Sequence, residues 1–179
     1  MSEEQESKRE KADVNLDDIL DAEVKVTGAD IPEGSYPATL FGFGEPFKLA
    51  VSDKFKKKDG PTHRVVFELR FGLFDKTGTL QELQHMVPIP EGGEVNRKSN
   101  LYKSMKALAG GDAKYIDENG NFTKGTKLTS FLGRNVVLGV KKNSKDWPQV
   151  ETVASKMDGV KYPTLEECAT LKASDNIPF

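Results

Sequence analysis

The chain is short of the residues that disulfide frameworks, metal centres and membrane spans require. One cysteine, Cys168, in 179 residues excludes an intrachain disulfide, and two histidines, His63 and His85, far apart in sequence, give no metal-ligand cluster. No stretch approaches the roughly 18 apolar residues that cross a bilayer as a helix. The opening "MSEEQESKREK" carries charges of both signs and lacks the apolar core of a secretion signal. A reducing, cytoplasmic setting without metal or cofactor is the expectation. Catalytic motifs are missing too. There is no nucleophile elbow, and "GFGEPF" has neither the glycine spacing nor the following helix of a dinucleotide loop. Glu166 and Glu167 are adjacent, so they do not converge as an acid and base pair. The chain is expected not to be an enzyme.

What is present is an uneven charge. Residues 1–33 hold 4 Lys and Arg against 11 Asp and Glu, a net of -7; residues 34–150 hold 19 against 12, a net of +7; residues 151–179 hold 3 against 5, a net of -2. A basic middle between acidic ends fits a polyanion binder with self-masking ends, and it also fits plain solvated charge on loops. Residues 1–30, acidic and poor in aromatics, are expected to be a disordered leader.

The ordered domain is expected over residues 31–155. In "GSYPATLFGFGEPFKLAV", Tyr36, Ala38 and Leu40 alternate before Gly42 and Gly44, which predicts one long strand that bends. The loop "SDKFKKKDGP" follows. "THRVVFELRFGLFD" then places Val65, Phe67, Leu69, Phe71 and Leu73 on one face, with Arg64, Glu68, Arg70 and Phe74 on the other. "DKTG" predicts a hairpin turn into "TLQELQHMVPIP". Leu101, Met105 and Leu108 recur at helical spacing ahead of Gly110 and Gly111, and "RNVVLGVKKN" and "PQVETVAS" are two further strands joined through "SKDW". Three strands, a helix and a closing hairpin match the mainly β, five-stranded oligonucleotide/oligosaccharide-binding (OB) barrel, whose first strand is long and bent, with a small sandwich as the alternative.

Such a barrel binds its ligand over the second and third strands, between the loops joining strands 1–2 and 4–5. Here the first loop carries Lys54, Phe55, Lys56, Lys57 and Lys58, and the second region carries Lys141, Lys142, Lys145 and Trp147. Cations that track phosphates, beside flat rings that stack unpaired bases, are what sequence-tolerant binding of single strands needs. Arg64, Arg70 and Phe74 on the second strand, with Phe43 and Phe47 on the first, complete the candidate surface. Taken singly, a lysine run is a solvated loop and a lone Trp is a core plug; it is their expected shared position that favours function.

The ending, "ASDNIPF", is apolar, which allows two readings: a tip tucked into the core, or bait for another protein. "SDNIPF" resembles the "DDIPF"-type tip of bacterial and phage single-stranded DNA-binding proteins, and "GSYPATLFGF", "NRKSNLYKSMKALAG" and "SFLGRNVVLGVKKN" look more like the phage-encoded members. The resemblance implies a protein that coats exposed single strands in replication or recombination and recruits partner proteins through its tip. By position, Ile177, Pro178 and Phe179 would be the apolar anchors and Asp175 the acidic element, on a flexible tail over residues 156–179. Asn176 departs from the pattern, which usually has an aspartate there, and "YPTLEECATLKA" has the makings of a helix that packs on the domain. A protein-interaction or assembly module on the same barrel is the alternative. A nuclease is a third class, and it lacks an acidic metal cluster.

Overall fold

The computed structural model describes residues 31–51, 58, 60, 63–90 and 95–172. The bent first strand is two strands, β1 (Gly34–Phe43) and β2 (Phe47–Ala50). Both pair antiparallel with the same edge of β3 (His63–Phe74): Ala38 to Phe43 lie opposite Leu73 to Leu69, and Phe47 to Ala50 opposite Val66 to His63. They are therefore two halves of one course. The bend has two causes. The register shifts between Leu40 and Gly42, leaving Phe41 as the extra residue of a bulge. Pro46, with no N–H to give, then breaks the ladder just before β2.

β4 (Leu80–Pro88) returns along the other edge of β3, β5 (Asn135–Lys142) pairs with β1, and β6 (Pro148–Ser155) pairs with β5. The result is a six-stranded antiparallel sheet. Among the described residues it is not closed, because β4 and β6 each pair on one side only and face one another across an open seam. Helix α1 (Asn100–Ala109) lies between β4 and β5 in the chain and packs on β6 and β4. Its ends are well defined: Ser99 Oγ accepts the Tyr102 N–H at 3.1 Å, and Gly110 adopts the left-handed conformation that stops it. The Arg134 guanidinium donates to the Leu108 and Ala109 carbonyls, groups that the helix itself cannot satisfy. Among the described residues, no helix is long and apolar enough to cross a membrane.

The core lies inside the curved sheet. Phe67, Leu69, Phe71 and Leu73 of β3 meet Tyr36, Ala38 and Leu40 of β1, Val136, Leu138 and Val140 of β5, and the Leu101, Met105 and Leu108 face of α1. The alternation read from sequence holds for β3 except at its start. Val65 is 38 % exposed while Val66, from the opposite face, is buried, because Val66 lies between Phe47 and Pro88 where β2, β3 and β4 run side by side. His85 pairs with Leu69 and so faces inward at the seam. Burial lowers its pKa from 6.5 to about 4. The folded protein then binds fewer protons than the unfolded chain between those values. His85 should thus cost stability as pH falls from 6.5 towards 4, and not above 6.5. In urea titrations across that range, His85→Gln is expected to flatten this loss; a slope equal to the wild type's would contradict the assignment.

The segment assigned to a tail is part of the fold as far as Lys172. Helix α2 (Leu165–Lys172) starts with a capping box: the Thr164 N–H donates to Glu167 Oε2 at 2.8 Å and the Glu167 N–H to Thr164 Oγ1 at 3.1 Å. The Thr39 hydroxyl, on the outer face of β1, donates to the Pro163 carbonyl at 2.6 Å. Cys168 is fully buried against Gly72 of β3, where a Cβ would collide with its Sγ. Residues 173–179, including Asp175, Ile177, Pro178 and Phe179, lie outside the described residues. Gly72→Ala is expected to destabilise the protein by about 1–3 kcal/mol through overpacking and to expose Cys168 to thiol reagents. An unchanged melting temperature with a protected thiol would contradict this docking.

Candidate nucleic-acid interface

Strand pairing sorts the outer face of the sheet into rows: Leu49 with Arg64, Phe47 with Val66 and Pro88, Glu68 with Met86, Gly42 with Arg70 and Gln84, and Thr39 with Gly72 and Glu82. The Thr39–Gly72 end is roofed by α2. The other end is open. There Phe47 is 37 %, Leu49 36 % and Met86 49 % exposed, with the exposed Arg64 among them. An apolar patch edged by a cation is unusual on a free sheet face, since such surface is normally buried or used. The connection from Ala50 to His63, which carries the lysine run in sequence, joins β2 to β3 at this same end. Of that run Lys58 is described and exposed, while Lys54, Phe55, Lys56 and Lys57 lie outside the described residues.

Three of the sequence candidates on or near this face are engaged by the protein itself. Phe43 pairs with Leu69, faces inward and packs on the core, its ring 6.5 Å from that of Phe67. Arg70 makes a two-pronged ion pair with Glu82, at 2.6 and 2.8 Å, and its guanidinium lies 5.2 Å from the Phe41 ring. Phe74 is half-buried with Lys161 Nζ 4.9 Å above its ring. Phe47 and Arg64 remain open. Leu49 and Met86 join them, and sequence reasoning missed both because isolated aliphatic residues in a strand pattern read as core.

Trp147 stands elsewhere. It is 58 % exposed at the β5–β6 hairpin, where the end of β5 pairs with Gly34 at the start of β1. The β5–β6 hairpin and the last residue of β2, Ala50, therefore lie at opposite ends of the bent β1–β2 course. The hairpin is rigidly built: Asn143 Oδ1 accepts the Lys145 and Trp147 N–H groups, and the Asn143 N–H donates to the Trp147 carbonyl. The same turn recurs at Asp75–Thr79 and Asp117–Asn121, and the Asp75 carboxyl is held down at about 2, chiefly by the Thr77 hydroxyl. In both of those turns the left-handed position is a glycine, Gly78 or Gly120, whereas here it is Asp146, at φ 64°. Asp146→Gly should relieve that conformation and raise stability by roughly 0.5 kcal/mol, about 1–2 °C in melting temperature. A lower melting temperature would show that the Asp146 carboxylate, 3.8 Å from Lys142 Nζ, matters more than backbone strain.

The cations around Trp147 differ in availability. Lys141 is paired with Glu151 at 2.9 Å, and hydrogen bonding and charge from that carboxylate raise its pKa. Lys142 is engaged by Asp146, while Lys145 is exposed and has no ion-pair partner among the described residues. No group of acidic, histidine or cysteine side chains among the described residues is arranged to hold a metal ion. Compared with family profiles, curated proteins and solved structures, the chain matches none.

Proposed function

We propose that this protein is a non-enzymatic single-stranded DNA-binding protein of the phage type, built on an OB barrel. The strand order supports the barrel: a long bent first course, β1 with β2, lies between β3 and β5, α1 separates β4 from β5, and β4 and β6 approach each other where a barrel would close. The single observation that carries the function is the open outer face, where Phe47, Leu49, Met86 and Arg64 are exposed on neighbouring strands, with the lysine run following β2 in sequence. The Phe47 ring can stack an unpaired base, Leu49 and Met86 can pack against its neighbours, lysines track phosphates, and none of these needs a particular base. Trp147 and Lys145 would extend the path at the far hairpin. Ile177, Pro178 and Phe179, with Asp175, would recruit replication or recombination proteins through their apolar anchors and acidic element.

The test is anisotropy of labelled oligo(dT), the same-length duplex and oligo(U) over a salt series. Tight, salt-sensitive binding of oligo(dT) with weak duplex binding is expected. Salt-insensitive or absent binding would contradict the reading and favour a protein-docking role for the same apolar face.

A further inference from the structure

The open seam leaves a groove lined by residues other than those of the proposed strand face. It has a volume of about 380 Å³, is bounded by α1, the 151–155 edge of β6 and His85 of β4, and falls in the size range of small-ligand sites. Lys103 and Lys106, three apart on α1, share one wall. Neither is in an ion pair among the described residues. The one carboxylate on the groove wall, Glu151, is already held by Lys141. The groove therefore presents unspent positive charge. Its remaining surface is mixed: Ala107, Val153 and Ala154 are apolar, while Asn100, Thr152 and Ser155 offer hydrogen bonds. The β6 edge adds backbone groups that no neighbouring strand uses among the described residues, where β6 pairs only with β5.

We propose that this groove is a second binding site, which takes one nucleotide unit with its phosphate on Lys103 and Lys106 and its base against the Val153–Ala154 edge. A nucleotide unit is favoured over an extended peptide, because Lys103 and Lys106 on one wall, unpaired among the described residues, call for a phosphate. The phosphate belongs at the Lys103 end: the adjoining cleft, which shares Lys106 and Ser155, is lined by Asp117 and Glu118 and repels an anion. His85 remains neutral at neutral pH and supplies a ring nitrogen at the groove wall. That the nucleotide comes from a bound strand rests on the function proposed above; the groove's chemistry fits a free nucleotide equally.

NMR of the full chain, following His85 ring signals and the α1 and β6 amides, separates these sources. With dTMP as probe, shifts at His85, Lys103 and Ser155 and an upward move of the His85 pKa are expected, and Lys103→Gln with Lys106→Gln should weaken the effect at least tenfold. Oligo(dT) should produce the same shifts, and the double variant should shorten the bound length. Oligo(dT) binding with no change at His85, and wild-type affinity in the double variant, would overturn the groove and leave the outer face standing. A dTMP response without any oligo(dT) binding would keep the groove and overturn its supply from a strand. An equal response to inorganic phosphate alone would overturn recognition of the base, and no response to any probe would overturn the site altogether.

Discussion

Replacing Lys54, Lys56, Lys57 and Lys58 together with alanine is expected to flatten the salt dependence of oligo(dT) binding by up to about 2.8 in the slope of log K against log salt, at roughly 0.7 per phosphate contact on a single strand. The run belongs to the connection between β2 and β3, the strands that bear the open Phe47, Leu49 and Arg64, and in the proposed function a strand bound on that face meets its charge. Affinity should fall most at low salt, because each lysine acts by releasing counterions. The fold should be indifferent, since Lys58, the one described member of the run, is exposed. A wild-type slope in the quadruple variant would remove the loop from the interface; a lowered melting temperature would mean that it packs on the sheet instead.

Trp147→Ala is expected to cost about 1–3 kcal/mol of oligo(dT) affinity, roughly 5- to 150-fold. The side chain is 58 % exposed, and the turn beneath it is held by backbone groups and Asn143, none of which the substitution touches. The melting temperature should therefore stay put while intrinsic fluorescence loses its response to oligo(dT). Unfolding on substitution would mean that the ring is structural. Full affinity with full stability would confine the strand to the Phe47 end of the sheet and leave the hairpin outside it.

Much of this architecture was readable because local rules agreed with one another. The alternation in β3, the Asp–Lys–Thr–Gly turn and the spacing of Leu101, Met105 and Leu108 each identified an element that formed. The break between β1 and β2 was foreshadowed by Gly42 and Gly44, but its form depends on Phe41 being squeezed out of register against β3. Helix α2 carried a legible start signal in Thr164 and Glu167. Its docking did not show, since that rests on a glycine, Gly72, nearly a hundred residues away. The site was harder to read for the same reason. Arg70 reads as a candidate until cross-strand register brings Glu82 beside it, and nothing in the sequence singles out Leu49 and Met86, since only the pairing shows that they face outward. Residue type and period predict which face a side chain takes; what covers that face is decided by distant chain.

The most direct test of the central claim is photo-crosslinking of the full chain to oligo(dT) carrying 5-bromodeoxyuridine, with the attached peptides mapped by mass spectrometry. Adducts on the Phe47–Lys58 segment, on the strand bearing Met86 and at Trp147 are the expected result, reduced by unlabelled oligo(dT) and not by duplex. Adducts confined to α2 and the sheet end that it covers, or equal competition by duplex, would contradict a single strand lying on the open outer face.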